Sequence, residues 1–193
     1  MLNSYADYRL AWTLDAASSL LNVTISAPAS SALTWAAIGF RPKSRSREWQ
    51  DGQDKASTHT NFGMEGADIV VGSSKGGVRT MFAELYTGPP IASTDLEIAA
   101  EEAIVTSDGR VQVSFSRPLV GGYLATQMGA SDATIVSPLA DIIWAVGNDD
   151  EAGGCAYHDN RRGLRFVDWE NPETTFVEEW KCTASSAASS NVE

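Results

Sequence analysis

Two side chains in this sequence could each give a single donor atom to a metal ion: the thioether of Met64 and an imidazole nitrogen of His158. Met64 stands in Gly63-Met64-Glu65-Gly66, where glycines let the backbone come close to a flat ligand, and the chain then enters the apolar stretch Ala67–Gly72. His158 lies far downstream in Tyr157-His158-Asp159-Asn160-Arg161-Arg162-Gly163. By residue type alone, plainer readings stand beside ligation. A methionine next to a strand fills gaps in a core. A loop histidine hydrogen-bonds a neighbour such as Asp159 or a backbone carbonyl. Met81 falls inside a strand pattern and reads as packing, while Met128 follows Gln127 in a glycine-rich loop and stays open. His59, the other of two histidines, sits in a polar stretch and reads as a solvated imidazole.

Other chemistries lack their residues. There is no Gly-x-Ser-x-Gly elbow, no phosphate-binding Walker loop and no His-Glu-x-x-His pattern. Two histidines are too few for a multi-histidine copper or zinc site. The acidic doublets Glu101-Glu102, Asp149-Asp150 and Glu178-Glu179 are adjacent residues that diverge on a strand, so they read as surface charge and not as a glycosidase dyad. No catalytic residue is assigned. The formal charge of -11 argues against nucleic acid, since phosphates would meet no compensating charge. The cluster Arg41, Lys43, Arg45, Arg47 and Lys55 reads as a solvated loop.

The 193 residues, 43% hydrophobic, suit one domain with an ample core, and no apolar run reaches membrane-spanning length. We place a single domain at 1–182, with a polar insertion over 41–62, and read the Ser/Ala-rich 183–193 as a tail or linker. Met1-Leu2-Asn3-Ser4 carries no secretion signal. Two features still point to a secreted chain whose signal has been removed. Asn22-Val23-Thr24 is a glycosylation sequon, and the two cysteines, Cys155 and Cys182, are compatible with one disulfide. That bridge would tie the C-terminal segment back beside His158; two buried free thiols are the other reading.

Positioning these residues falls to strands. Tyr8–Leu14 alternates large apolar with polar or small residues, and in Leu20–Ser26 the residues Leu21, Val23 and Ile25 face one way, leaving Asn22 on the solvent side. Leu33–Phe40 is a strand with Trp35 and Phe40 as its large members. The turn Ser73-Ser74-Lys75-Gly76-Gly77 predicts a hairpin between Asp68–Gly72 and Val78–Tyr86, and Ser107-Asp108-Gly109 predicts another between Leu96–Val105 and Arg110–Ser116. Asp141–Gly147 and Gly163–Trp169 complete the set. Leu96–Ala103 is the best helical competitor, and its hairpin flank argues for strand. Many short strands with frequent turns predict an all-β antiparallel sandwich of roughly eight to eleven strands.

Several of these stretches, in order, resemble the DOMON family. They are Ala11-Trp12-Thr13-Leu14, Trp35–Phe40, Met64–Gly72, Val113–Leu119, Ile143–Gly147 and Tyr157–Gly163. The resemblance covers about Tyr8 to Asp168 and implies an immunoglobulin-like antiparallel β-sandwich that is secreted or extracellular. One branch of that family is a b-type cytochrome, as in the cytochrome domain of cellobiose dehydrogenases and in cytochromes paired with membrane b561 modules. Another branch lacks haem, and some members have been proposed to bind sugars.

Met64 and His158 match the positions that ligate iron in the haem branch. The resemblance therefore implies a haem b held without covalent attachment, since Cys-x-x-Cys-His is absent. With both axial sites filled, such a centre carries single electrons. Trp35, Phe62, Tyr86 and Trp144, with Phe40, are candidate walls, and Arg161 and Arg162 are candidate partners of the propionates. Implied redox partners are a flavin dehydrogenase domain, a membrane b561 cytochrome or a copper oxygenase, with no nucleic acid and no membrane span in this chain. The competing reading is a haem-free module for carbohydrate or another small ligand, or a structural extracellular domain.

Overall fold

Alternation of apolar and polar residues turns into two antiparallel sheets. The computed structural model describes residues 8–15, 17–31, 33–41, 64, 66–83, 89–94, 96–121, 134–135, 139–149 and 161–169. Among them there is no helix. The strands are β1 Arg9–Asp15, β2 Leu20–Pro28, β3 Trp35–Phe40, β4 Asp68–Ser73, β5 Gly77–Phe82, β6 Ile91–Ala92, β7 Ala99–Val105, β8 Arg110–Pro118, β9 Val120–Gly121, β10 Thr134–Ile135, β11 Leu139–Gly147 and β12 Arg162–Asp168. One sheet runs β1-β2-β8-β7, the other β12-β11-β3-β4-β5-β6, and β9 pairs with β10 alone. The twelve strands exceed the predicted eight to eleven because β6, β9 and β10 are two-residue pairings with no legible alternation.

β2 shows why the sandwich closes. Leu21, Val23, Ile25 and Ala27 are buried, and Asn22 is exposed. Val111, Val113 and Phe115 do the same on β8. These meet Ala36, Ile38 and Phe40 of β3, Val70 of β4 and Ile142 and Val146 of β11 in one core between the sheets. Trp12 and Trp169 join it edge to face, with ring centroids 5.3 Å apart, and the Trp12 indole N–H donates to the Trp169 carbonyl at 2.9 Å.

Both predicted hairpin turns form. The Gly76 amide donates to Ser73 Oγ at 2.8 Å, and the Gly109 amide donates to the Thr106 carbonyl at 2.9 Å. The first strand of the second hairpin is shorter than expected. β7 begins at Ala99, and its register shifts between Ala99 and Glu102, with Ala100 at φ 52°. No described helix is long and apolar enough to cross a membrane.

Candidate cofactor site

The six-stranded sheet has a second apolar face, directed away from the four-stranded sheet. On β3, Ala36, Ile38 and Phe40 enter the main core, so Trp35, Ala37 and Gly39 project to the other side. On β4 the outward set is Ile69 and Val71, and on β11 it is Ile143 and Ala145. Trp35, Ala37, Ile69, Val71 and Ile143 form a separate buried cluster with Ala67 and Ala83. Met64 and Met81 pack against that cluster. This face is apolar and buried, whereas the outward faces of a sandwich are ordinarily polar.

Met64 is held at the edge of this face by a tight bend. The Ala67 amide donates to the Met64 carbonyl at 2.9 Å, the Gly66 amide to the Ala83 carbonyl at 2.8 Å and the Ala83 amide to the Ala67 carbonyl at 3.1 Å. Gly66 takes φ 78°, a left-handed conformation that a side chain would strain. The bend therefore depends on the glycine that follows the methionine by two residues. Met64 itself is half-buried.

Strand register lays out the rest of the face. One row runs Arg162, Ala145, Ala37, Val71, Arg79 across β12, β11, β3, β4 and β5. Its centre is small and apolar, and each end is an exposed arginine. The next row carries Ile143, Gly39, Ile69 and Met81. A Cβ on Gly39 would lie 2.5 Å from Ile143 Cγ1, so this row is already filled to contact.

At the far end of the strands, the Trp35 indole donates to the Asn148 carbonyl at 2.7 Å, and the Asp149 amide donates to Thr34 Oγ1 at 2.7 Å. These bonds fix the root of the connection from β11 to β12, in whose sequence His158 lies. The chain returns to the outer face at Arg162, which pairs with Ala145. Arg161 is half-buried and accepts a hydrogen bond from the Val146 amide at 3.0 Å through its carbonyl.

The structure therefore places Met64, Trp35 and Arg162 on one sheet face. Trp144 goes to the other. It shares the inward side of β11 with Ile142 and Val146 and stacks on Tyr8, with centroids 5.0 Å apart. Phe40 is likewise a core residue. His158, Phe62, Tyr86, Cys155 and Cys182 lie outside the described residues, as do His59 and Met128. Among the described residues no group of three or more His, Cys, Asp or Glu gathers. Arg79 was not anticipated from the sequence. The outward parity it shares with Met81 on β5 was the available signal.

No protein-family model matches the sequence, and no curated protein matches it. Solved structures do. One is the cytochrome b domain of pyranose dehydrogenase from Coprinopsis cinerea, at TM-score 0.56 and 11% identity, covering 86% of this chain and 79% of that one. The shared fold is an all-β sandwich. A second match is the cytochrome domain of Myriococcum thermophilum cellobiose dehydrogenase, at TM-score 0.54 and 15% identity, covering 87% of this chain and 76% of that one. At these identities the cytochrome-domain likeness is one of architecture, the all-β sandwich of two antiparallel sheets.

The described residues of that architecture fit a flat, largely apolar group with acidic edges. They offer a thioether, an indole wall, small residues along one row, and arginines at both ends of it.

Proposed function

We propose that the protein is a b-type cytochrome domain that transfers single electrons, with Met64 and His158 as the axial ligands of a noncovalent haem b. The observation that carries this reading is the buried apolar outer face with the Met64 thioether at its edge, in a fold shared with cytochrome b domains. Held there by Met64 and His158, a haem would supply one-electron chemistry, with no iron position left for oxygen or substrate.

The chain's own residues account for the rest. The Met64 thioether favours the ferrous state and so raises the potential relative to a second imidazole. Trp35, Ile69, Val71 and Ile143 exclude water, which strengthens electrostatic control of the site. Arg162, with Arg161 and Arg79, supplies guanidinium groups for the propionates. From Gly147 to His158 the chain has a reach of up to about 36 Å. The outer face from Trp35 to Ala67 spans only about 20 Å. Chain length therefore permits the imidazole to meet a group lying on that face.

The two similar structures are cytochrome domains of dehydrogenases. For this chain the proposed partner is a redox domain of that kind, a membrane b561 cytochrome or a copper oxygenase. A secreted setting with a Cys155–Cys182 bridge and a glycan on Asn22 belongs to the same proposal. Asn22 is exposed, its amide donating to Thr13 Oγ1 at 3.2 Å. Of the described tryptophans, Trp12 and Trp169 lie in the core between the sheets and Trp144 stacks on Tyr8, which leaves Trp35 as the one on the outer face for either reading.

The test is the visible spectrum of the purified protein after haem is supplied. A low-spin, six-coordinate spectrum that changes on reduction is expected. It should be disturbed by either Met64→Ala or His158→Ala. A colourless protein, or a spectrum unaltered in both variants, rejects the assignment.

A further inference from the structure

Behind the Met64 bend, on the opposite face of the same sheet, lies a buried pair of opposite charges. Asp68 opens β4 four residues after Met64, and Arg117 reaches toward it from the end of β8 in the facing sheet; both are 0% exposed. The Arg117 guanidinium carbon stands 4.2 Å from the centroid of the Phe40 ring. Phe40 is the residue paired directly with Asp68 across β3 and β4. Burial lowers the Arg117 pKa to about 10, and the Asp68 charge keeps it from falling further.

Phe40 and Asp68 are the last paired residues on either side of the excursion 41–67. Arg117 thus faces both ends of the loop that carries Met64: its guanidinium lies over the Phe40 ring, its charge interacts with that of Asp68, and its Nε donates to the Pro118 carbonyl at 3.0 Å. Asp68 also pairs with Phe82, one step from the hydrogen bonds of Gly66, Ala67 and Ala83 that close the bend. A buried ion pair seldom stabilises a core more than apolar residues of the same volume do, and its best-attested use is to specify one arrangement over others.

We propose that Arg117 is a positioning residue for the Met64 thioether, clamping Asp68 and Phe40 so that the bend leaves the sheet in one orientation. The proposal rests on Met64 being the iron ligand proposed above. It adds a determinant on the facing sheet, remote from the cofactor face.

The test uses the full chain, haem-loaded and haem-free. The central variant is Arg117→Met combined with Asp68→Leu, which removes both charges together; Arg117→Lys keeps the charge without the planar contact to Phe40. Three quantities are read: Tm, the rate at which added imidazole displaces the sixth iron ligand, and amide exchange at Gly66, Ala67 and Ala83. The expected result is a double variant whose Tm stays within about 5 °C of the parent. Its imidazole displacement and its exchange at those three amides should be faster by about tenfold or more, with β2 and β8 amides unchanged. Arg117→Lys should fall between the two.

Parental displacement and exchange rates in the double variant overturn the proposal, as does exchange accelerated evenly across all strands. If the double variant does not fold, Arg117→Lys decides by the same readings. Met64→Ala separates the two claims: a ferric thioether-to-iron absorption band that survives it removes Met64 as ligand, while exchange at the bend still tests the clamp.

Discussion

The two faces of the six-stranded sheet are built from alternate residues of the same strands, yet they differ in kind. The inward face carries Ile38, Phe40, Val70, Ile142 and Val146 against the side chains of β2 and β8. The outward face carries Ala37, Gly39, Val71 and Ala145 at its centre, with Trp35 and Met64 toward its margins. The first is a jigsaw whose energy is spent on folding. The second has small residues in the middle and large or polar ones around them, the shape of a seat for a flat molecule. One strand sequence therefore carries the core on one parity and, under the proposed function, the ligand seat on the other.

Substitutions on adjacent residues of β3 test that division most strongly. Ile38→Ala, on the inward face, should cost about 3–4 kcal/mol in urea unfolding, with or without haem, because it opens a cavity in a fully buried site. Its neighbour Gly39→Val drives a side chain into Ile143 and Ile69. That should cost about 1–3 kcal/mol and also weaken haem retention in a competition with apomyoglobin. An equal loss of haem affinity in both variants would break the comparison.

Tyr8→Phe probes the inward face more gently. The phenol donates to the Ala37 carbonyl at 3.0 Å, so its loss should cost about 1 kcal/mol at neutral pH. Burial also raises the Tyr8 pKa well above its ordinary value of 10.0. The folded chain then keeps a proton that the unfolded chain sheds, so the Tyr8 contribution is complete below pH 10 and declines above it. Tyr8→Phe should remove that part of the alkaline decline in denaturation curves.

The smallest effect on folding is expected from the paired change Arg79→Ala and Arg162→Ala, within about 0.5 kcal/mol because both residues are exposed. Haem dissociation should nonetheless quicken several-fold, measured by transfer to an acceptor protein. A folding loss as large as that of Ile38→Ala would mean that these arginines serve the sheet and not the ligand.

Much of the architecture is legible in the alternation of single strands. Leu21, Val23 and Ile25, and Val111, Val113 and Phe115, announce their burial by period alone. The turn at Ser73–Gly77 announces its hairpin by residue type. Strand order is a different matter. β8 pairs with β2, and β11 with β3, through contacts between residues roughly a hundred positions apart. No local pattern encodes them, so the shared face of Met64, Trp35 and Arg162 was visible only as a family resemblance.

Trp144 shows the limit of reading size without parity. It is a large aromatic on β11, but its even position turns it inward to Tyr8. Arg117 and Asp68 were more readable than they looked. Each continues an inward alternation, Val113-Phe115-Arg117 and Asp68-Val70, and an ion at an inward position is itself a signal.

The contact between Trp12 and Trp169 joins residues 157 positions apart. Together with the place of β11 between β12 and β3, it means that neither the core nor the larger sheet can close until nearly all of the domain has left the ribosome. Such topology folds on the scale of milliseconds to seconds, so the early strands β1 to β5 must wait, half-paired and apolar, for partners made last. During that wait the chain would depend on chaperones or on its acidic charge to stay unaggregated, and its yield in a foreign host should respond to slower synthesis at lower temperature.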